Sequence, residues 1–180
     1  MLIVAGGTSS GFDVDNLSTV EVMDTKTFNW TVTKCLPDPF TEAWLTVCGD
    51  KVYMLGGNIC KFPSKTAFTC SLNDLYDGCG KWDTIPNVPV YNATCATVDG
   101  QLLAVGGKMT SEEGMTNSSA IYAYNPTEKS WSIKCHMKTA RSFCLVAALP
   151  NNIMMVIGGI MQDLHLHSEA PTDEVEIISI

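Results

Sequence analysis

Histidine, cysteine and a lone arginine are the side chains from which chemistry would have to be assembled in this 180-residue chain. His165 and His167 flank Leu166 close to Asp163, a grouping that raises the question of a metal. Two imidazoles at i and i+2 on a loop supply no closed coordination set, so no metal site is expected. Cys135-His136 sets a thiol beside an imidazole, but a nucleophile needs a third group to orient its base. The pair reads more simply as part of a link between structural units. The eight cysteines, Cys35, Cys48, Cys60, Cys70, Cys79, Cys95, Cys135 and Cys144, are scattered and contain no C-x-x-C pair, which argues against zinc-ribbon and dithiol redox chemistry. The inventory predicts no catalytic residue, no metal and no cofactor, and therefore a chain that is not an enzyme.

Charge narrows the partners. The formal net charge is -8 with Arg141 as the one arginine, whereas nucleic acids and anionic membranes demand a positive footprint. A basic or polar protein segment is the more suitable ligand. Hydrophobic residues make up 46% and charged residues 17% of the chain, a globular composition, and the longest apolar runs fall far short of the roughly 20 residues that cross a bilayer. The first residues lack the basic and apolar regions of a signal peptide. Cys48, Cys95 and Cys144 sit in apolar segments, where a reduced cysteine acts as a small hydrophobe. A cytoplasmic, reducing setting is the expectation. The sequons at Asn16, Asn29, Asn92 and Asn117 keep an extracellular one as the alternative.

What must position any functional residue is a repeat. Gly6-Gly7, Gly56-Gly57, Gly106-Gly107 and Gly158-Gly159 recur about every 50 residues, each closing a strand-length apolar run such as Val52-Tyr53-Met54-Leu55. Trp30, Trp82 and Trp131 follow at nearly constant distance, each preceded six or seven residues earlier by Met23, Tyr76 or Tyr124. Trp44 falls outside this register. Turn formers lie between the two, and another strand precedes each diglycine run across a tight turn: Gly49-Asp50, Asp99-Gly100 and Pro150-Asn151-Asn152. Asp-Gly favours a two-residue hairpin because both central residues take positive φ. The last interval is two residues longer, an excess assigned to the Pro150 turn. Each period therefore reads as four short strands.

A diglycine, then a tyrosine, then a tryptophan at this spacing resembles the kelch repeat, over essentially the whole chain. Met23 and Ile178 depart from it at the tyrosine position. The resemblance implies an all-β fold of β-propeller blades, each of four antiparallel strands. Gly6, Gly7, Gly56, Gly57, Gly106, Gly107, Gly158, Gly159, Trp30, Trp82, Trp131, Tyr76 and Tyr124 are expected to be structural, the aromatics filling the space between blades.

The register divides residues 1–180 into a partial blade at 1–40 lacking its first strand, blades at 41–90 and 91–140, and a partial blade at 141–180 lacking its last strand. An incomplete ring is the expectation: a fragment of a longer product, or an arc that self-associates through its open edges. Long insertions follow every diglycine, at 8–17, 58–72, 108–118 and 160–172, and loops on a rigid scaffold are where binding residues concentrate. The partner-binding candidates are Arg141, Lys108, Asp13, Asp15, Glu112 and Glu113. Arg141, in Thr139-Ala140-Arg141-Ser142, resembles an arginine that kelch receptors use to hold peptides, its equivalents being Thr41 and Tyr91. The resemblance implies a protein-interaction module or scaffold, in one version the substrate-binding part of a larger ubiquitin-ligase adaptor. The competing readings are a fragment of a secreted kelch-type copper oxidase and an extracellular adhesion module.

Overall fold

The computed structural model describes residues 1–9, 16–112, 114–163 and 168–180. The tight turns organise it. Asp99 and Gly100 both take positive φ, 49° and 70°, the pattern whose twist matches paired strands. They join Val98 to Gln101. Gly49 alone is positive in the turn from Cys48 to Lys51. Leu149 pairs with Ile153 across three residues, so the Pro150 turn supplies one of the two extra residues assigned to it, not both.

Four antiparallel units result. The first contains β1 (Leu2–Ala5), β2 (Val20–Met23) and β3 (Trp30–Val32), paired in that order. The second is β4 (Trp44–Cys48), β5 (Lys51–Leu55), a small hairpin β6 (Asn58–Ile59) and β7 (Phe62–Pro63), then β8 (Ala67–Ser71), a short helix α1 (Leu72–Tyr76) and β9 (Asp83–Ile85), with sheet order β4-β5-β8-β9. The third repeats this: β10 (Thr94–Val98), β11 (Gln101–Val105), the hairpin β12 (Lys108–Ser111) and β13 (Gly114–Asn117), then β14 (Ala120–Asn125) and β15 (Ser130–His136), in order β10-β11-β14-β15. The fourth begins with β16 (Arg141–Ser142), followed by β17 (Leu145–Leu149) and β18 (Ile153–Ile157), then the hairpin β19 (Ile160–Asp163) and β20 (Ser168–Pro171), and β21 (Val175–Ser179). Its main sheet is β17-β18-β21. These are propeller blades, and the described residues form an arc of them.

Alternation along the strands explains why the blades stack. Val20 and Val22 of the first blade meet Val52, Met54 and Phe68 of the second in one core. Tyr53 and Leu55, one residue out of phase on β5, meet Leu102, Ala104 and Tyr122 of the third. Leu103 and Val105 then meet Met154 and Val156 of the fourth. Successive strand residues point to opposite faces, so every interior blade contributes to two cores. Trp44, outside the sequence register, packs on the second of these cores. Innermost strands also touch: the Thr94 hydroxyl donates to the Cys144 carbonyl.

The structure corrects one aromatic. Tyr76 ends α1 and is 60% exposed, while Leu75 beside it is buried. β8 begins at Ala67, so the insertion after Gly57 stops at residue 66 rather than 72. The tyrosine position of this blade is Cys70, opposite Val52 as Met23 is opposite Leu2. A helical turn capped by the Ser71 hydroxyl displaced the sequence count. Trp82 keeps its place, buried one residue before the Asp83 that faces Thr69.

In the second, third and fourth blades the second glycine of the pair is where the segment leading into the blade crosses the end of the second strand. A Cβ on Gly57 would lie 2.6 Å from the Thr41 carbonyl oxygen, and one on Gly107 2.5 Å from that of Tyr91, at φ values of 85° and 95°. Backbone cannot yield as a flexible side chain does. Gly107→Ala is expected to cost about 2–4 kcal/mol in urea unfolding, strain and clash together. Gly78→Ala, also at positive φ but with nothing within 4 Å, should cost about 1 kcal/mol from strain alone.

Candidate partner-binding rim

The segment leading into each blade is tied to the residue just past the diglycine. Thr41 bridges Asn58, Tyr91 bridges Lys108, and Ser142 pairs with Ile160. The residues equivalent to Thr41 and Tyr91 are therefore Ser142 and not Arg141. Arg141 corresponds instead to Phe40 and Val90, which are 1% exposed. Its own backbone confirms this: Gly107 N donates to the Arg141 carbonyl as Gly7 N does to that of Phe40, and Arg141 N donates to Ser118 as Phe40 N does to Leu17.

Arg141 is accordingly not a surface ligand. It is fully buried, 0% exposed. Its Nη1 donates to the carbonyls of Gly158 at 3.1 Å and Glu174 at 3.0 Å, and its Nη2 reaches Glu174 Oε2 at 3.1 Å and Glu176 Oε1 at 2.6 Å. Glu176 also accepts from the backbone N–H groups of Lys138 and Thr139. A guanidinium removed from water is tolerable because the N–H groups of both Nη1 and Nη2 find acceptors. The same slot in the second blade holds hydrocarbon. By strand register Glu176, opposite Val156, corresponds to Phe68, opposite Met54. Phe40 and Phe68 stack edge to face there at 5.7 Å. An ion pair in one repeat replaces an aromatic pair in another.

The rim is built by the hairpins that follow the diglycines. Lys108 is engaged, its Nζ 2.7 Å from Glu169 Oε2, which ties the third blade's hairpin to the fourth's. Glu112 is exposed at the tip of its hairpin. Asp13, Asp15 and Glu113 lie outside the described residues, as do His165 and His167. Beside the hairpin of the second blade, Gly7, Thr8, Thr41, Glu42, Asn58 and Lys61 line a shallow cavity of about 480 Å³, where Asn58 Nδ2 donates to Glu42 at 2.7 Å. Sequence reasoning missed the apolar component. Phe62 is 75% exposed at the tip of this hairpin, and Met109 and Met115 stand half-exposed on opposite faces of the next. Alternation within those short hairpins was the available signal.

The remaining sequence candidates lie within the blades. Trp131 donates its indole N–H to the Pro86 carbonyl at 2.9 Å and packs 5.0 Å from Tyr124. Tyr124 in turn meets Tyr53 across the blade boundary. Trp30 lies on the outer face of the first blade, half-exposed. The N–H groups of Gly6, Gly56, Gly106 and Gly158 each donate to a backbone carbonyl at the start of the third strand, those of Thr19, Thr66, Ala120 and Glu174. His136 bonds Ser119 through Nδ1, and burial pushes the thiol of neighbouring Cys135 up, away from thiolate character. Among the described residues no group of three or more His, Cys, Asp or Glu is placed to hold a metal.

Against known proteins, a family model for the Kelch motif matches residues 89–134, the third blade from its leading segment to its outer strand. Among solved structures, that of YjhT superposes with a TM-score of 0.70 at 16% identity, over 92% of this chain and 50% of the YjhT chain. The likeness is one of fold, and this chain spans half the length of YjhT.

The buried ion pair yields a double-variant test. Arg141→Leu strands the Glu176 carboxylate in the core and should cost about 3–5 kcal/mol. Arg141→Phe with Glu176→Phe, copying the sister slot, should recover more than half of that loss in urea unfolding. Recovery stays partial because the N–H groups of Lys138 and Thr139 lose their acceptor.

Proposed function

We propose, from the premise that these blades are kelch repeats, that the chain is a non-catalytic protein-interaction module whose partner docks on the hairpin rim. The observation carrying this reading is the exposure of Phe62, Met109 and Met115 on hairpins held by rigid blades. Methionine and aromatic side chains are enriched in the centre of protein interfaces, and their exposure is costly without a partner. Around them stand Glu42, Glu112 and Lys61, a polar surround that suits a basic or polar segment with an apolar anchor. Arg141 plays no direct part.

In a finer version the chain is the substrate-receiving part of a larger ubiquitin-ligase adaptor. Affinity capture with the intact chain and with the Phe62→Asp/Met115→Asp variant tests both levels. Proteins held by the wild type should be lost at least tenfold with the variant, while its unfolding free energy stays within about 0.5 kcal/mol of wild type, as for surface changes elsewhere. Equal retention by the variant would move the interface off the rim. The adaptor version further requires that the captured proteins carry fewer ubiquitin marks when the rim is altered in cells.

A reducing, cytoplasmic setting is part of the proposal, supported by Cys70, Cys95 and Cys144 lying buried as small hydrophobes. Burial raises the thiols of Cys95 and Cys144, whereas Cys35, Cys60 and Cys79 are exposed. Alkylation of the native protein should label the three exposed thiols first and reach Cys95 and Cys144 only on unfolding. Protein trapped directly from cells should show all eight reactive after denaturation.

A further inference from the structure

Between its third and fourth strands the first blade uses residues 24–29 and the third blade residues 126–129, but the second uses 72–82. That longer connection is bounded by two thiols. Cys70, in the tyrosine position of its blade, is buried in the core between the first and second blades together with Leu75 and Trp82. Cys79 is exposed. Between them α1 is held by little. The Ser71 hydroxyl caps it, Leu75 is its one buried side chain, and the N–H groups of Asp77, Gly78 and Cys79 close back on Asn73, Leu75 and Asp74.

The chain returning from α1 passes directly over the Cys70 sulfur. A Cβ on Gly80 would stand 3.1 Å from Cys70 Sγ and 3.2 Å from both Cα and Cδ1 of Leu75. Cys79 is the next residue, flanked by Gly80 and by Gly78, which sits at φ 71° with nothing within 4 Å. A glycine on each side leaves that residue free to turn. The two thiols also differ in the way a sensor requires. Burial pushes the Cys70 thiol up, with Asp74 and Asp83 acting in the same direction, while Cys79 meets solvent. A buried thiol is inert until a reacting group is brought to it, and an exposed one reacts first.

We propose that Cys79 and Cys70 are a reversible redox pair, with Cys79 the attacking thiol, Cys70 the resolving thiol and a small disulfide, oxidised glutathione, the oxidant. The Cys79 thiolate attacks one sulfur of the glutathione disulfide, forming a mixed disulfide and releasing one glutathione thiolate, which takes up the proton that Cys79 gave up. Cys70 then loses its proton and attacks Cys79 Sγ, expelling the second glutathione as a thiol. Two protein thiols are oxidised and one disulfide is reduced to two thiols. The pairing has a mechanical consequence. Cys79 reaches Cys70 only by entering the space where even a Cβ on Gly80 crowds Leu75, so closing the bond evicts Leu75 from the core. α1 then has no buried anchor, and the boundary between the first and second blades loosens. In a reducing compartment both residues rest as thiols and the bond is a transient response. The site uses none of the rim hairpins, so it stands or falls apart from the rim.

The full chain is exposed to oxidised glutathione, its free thiols are blocked with N-ethylmaleimide, and it is digested with trypsin, which releases both cysteines in one peptide, residues 66–81. That peptide is expected unlabelled and lighter by two hydrogens than its reduced form, and dithiothreitol should restore it. In Cys70→Ser it should keep one glutathione on Cys79. Amide exchange across 72–80 should rise about tenfold or more on oxidation of the wild type and stay unchanged in Cys79→Ser. Should Cys70→Ser fail to fold, the wild-type peptide and Cys79→Ser, a change at an exposed position, still decide. A glutathione that persists on Cys79 in the wild type, a bond from either sulfur to a cysteine outside 66–81, or closure with unchanged exchange in α1 overturns the proposal.

Discussion

A thin antiparallel sheet with apolar side chains on both faces cannot bury both by itself, and everything in this chain follows from that. Strand alternation sends Val52 and Met54 toward one neighbour and Tyr53 and Leu55 toward the other, so each blade is half of two cores. At about 25 cal/mol per Å² of buried apolar surface, stability resides at the blade boundaries rather than within a sheet. This is the one-dimensional logic of repeat proteins, in which a unit contacts only its neighbours. It also explains the half-exposed Leu2 and Val4 on the first blade and Val175 and Ile177 on the last. These residues occupy positions that are buried in the second and third blades, which have a neighbour on each side.

Close blade packing requires the connecting backbone to pass near the strand ends, and the diglycines answer that requirement. In the last three blades the leading segment crosses the second glycine, and the hairpin beyond it projects outward. Rim and core are thus set by the same crossing: apolar residues before the diglycine are buried, while those after it, Phe62, Met109 and Met115, are left for something else to cover. A module built this way can vary its hairpins without disturbing what holds it together.

Much of this was legible in the residues because it is enforced by backbone geometry. A repeated glycine pair reports a torsion and a close approach, and Asp99-Gly100 reports a turn type, whatever the surroundings. Side-chain roles were less legible. Counting back from Trp82 reached Tyr76, because nothing in the spacing announced that Ser71 would cap a helical turn and leave Cys70 in the tyrosine position. Arg141 was misplaced by one residue. Its equivalence to Thr41 and Tyr91 rests on sequence alone, without the pairing of Ser142 to Ile160 that fixes the register, and an arginine in an apolar slot defies the pattern that burial normally obeys. Only the acceptors gathered from Gly158, Glu174 and Glu176 make that slot habitable, and they come from more than thirty residues away in part.

The contrast between that slot and its counterpart bears on how the chain sorts its own parts while folding. Near-identical blades invite mispairing, with a third strand docking beside the wrong leading segment. Were β21 to settle against the segment bearing Phe40, the Glu176 carboxylate would be enclosed with an aromatic ring and no cation. Were β8 to settle against the segment bearing Arg141, the guanidinium would face Phe68 with no carboxylate. Either error buries an unpaired charge or leaves its donors empty, which is expensive. The two fillings of one slot act as an address label, so that each strand is accepted by its own blade and refused by a neighbour of nearly the same shape.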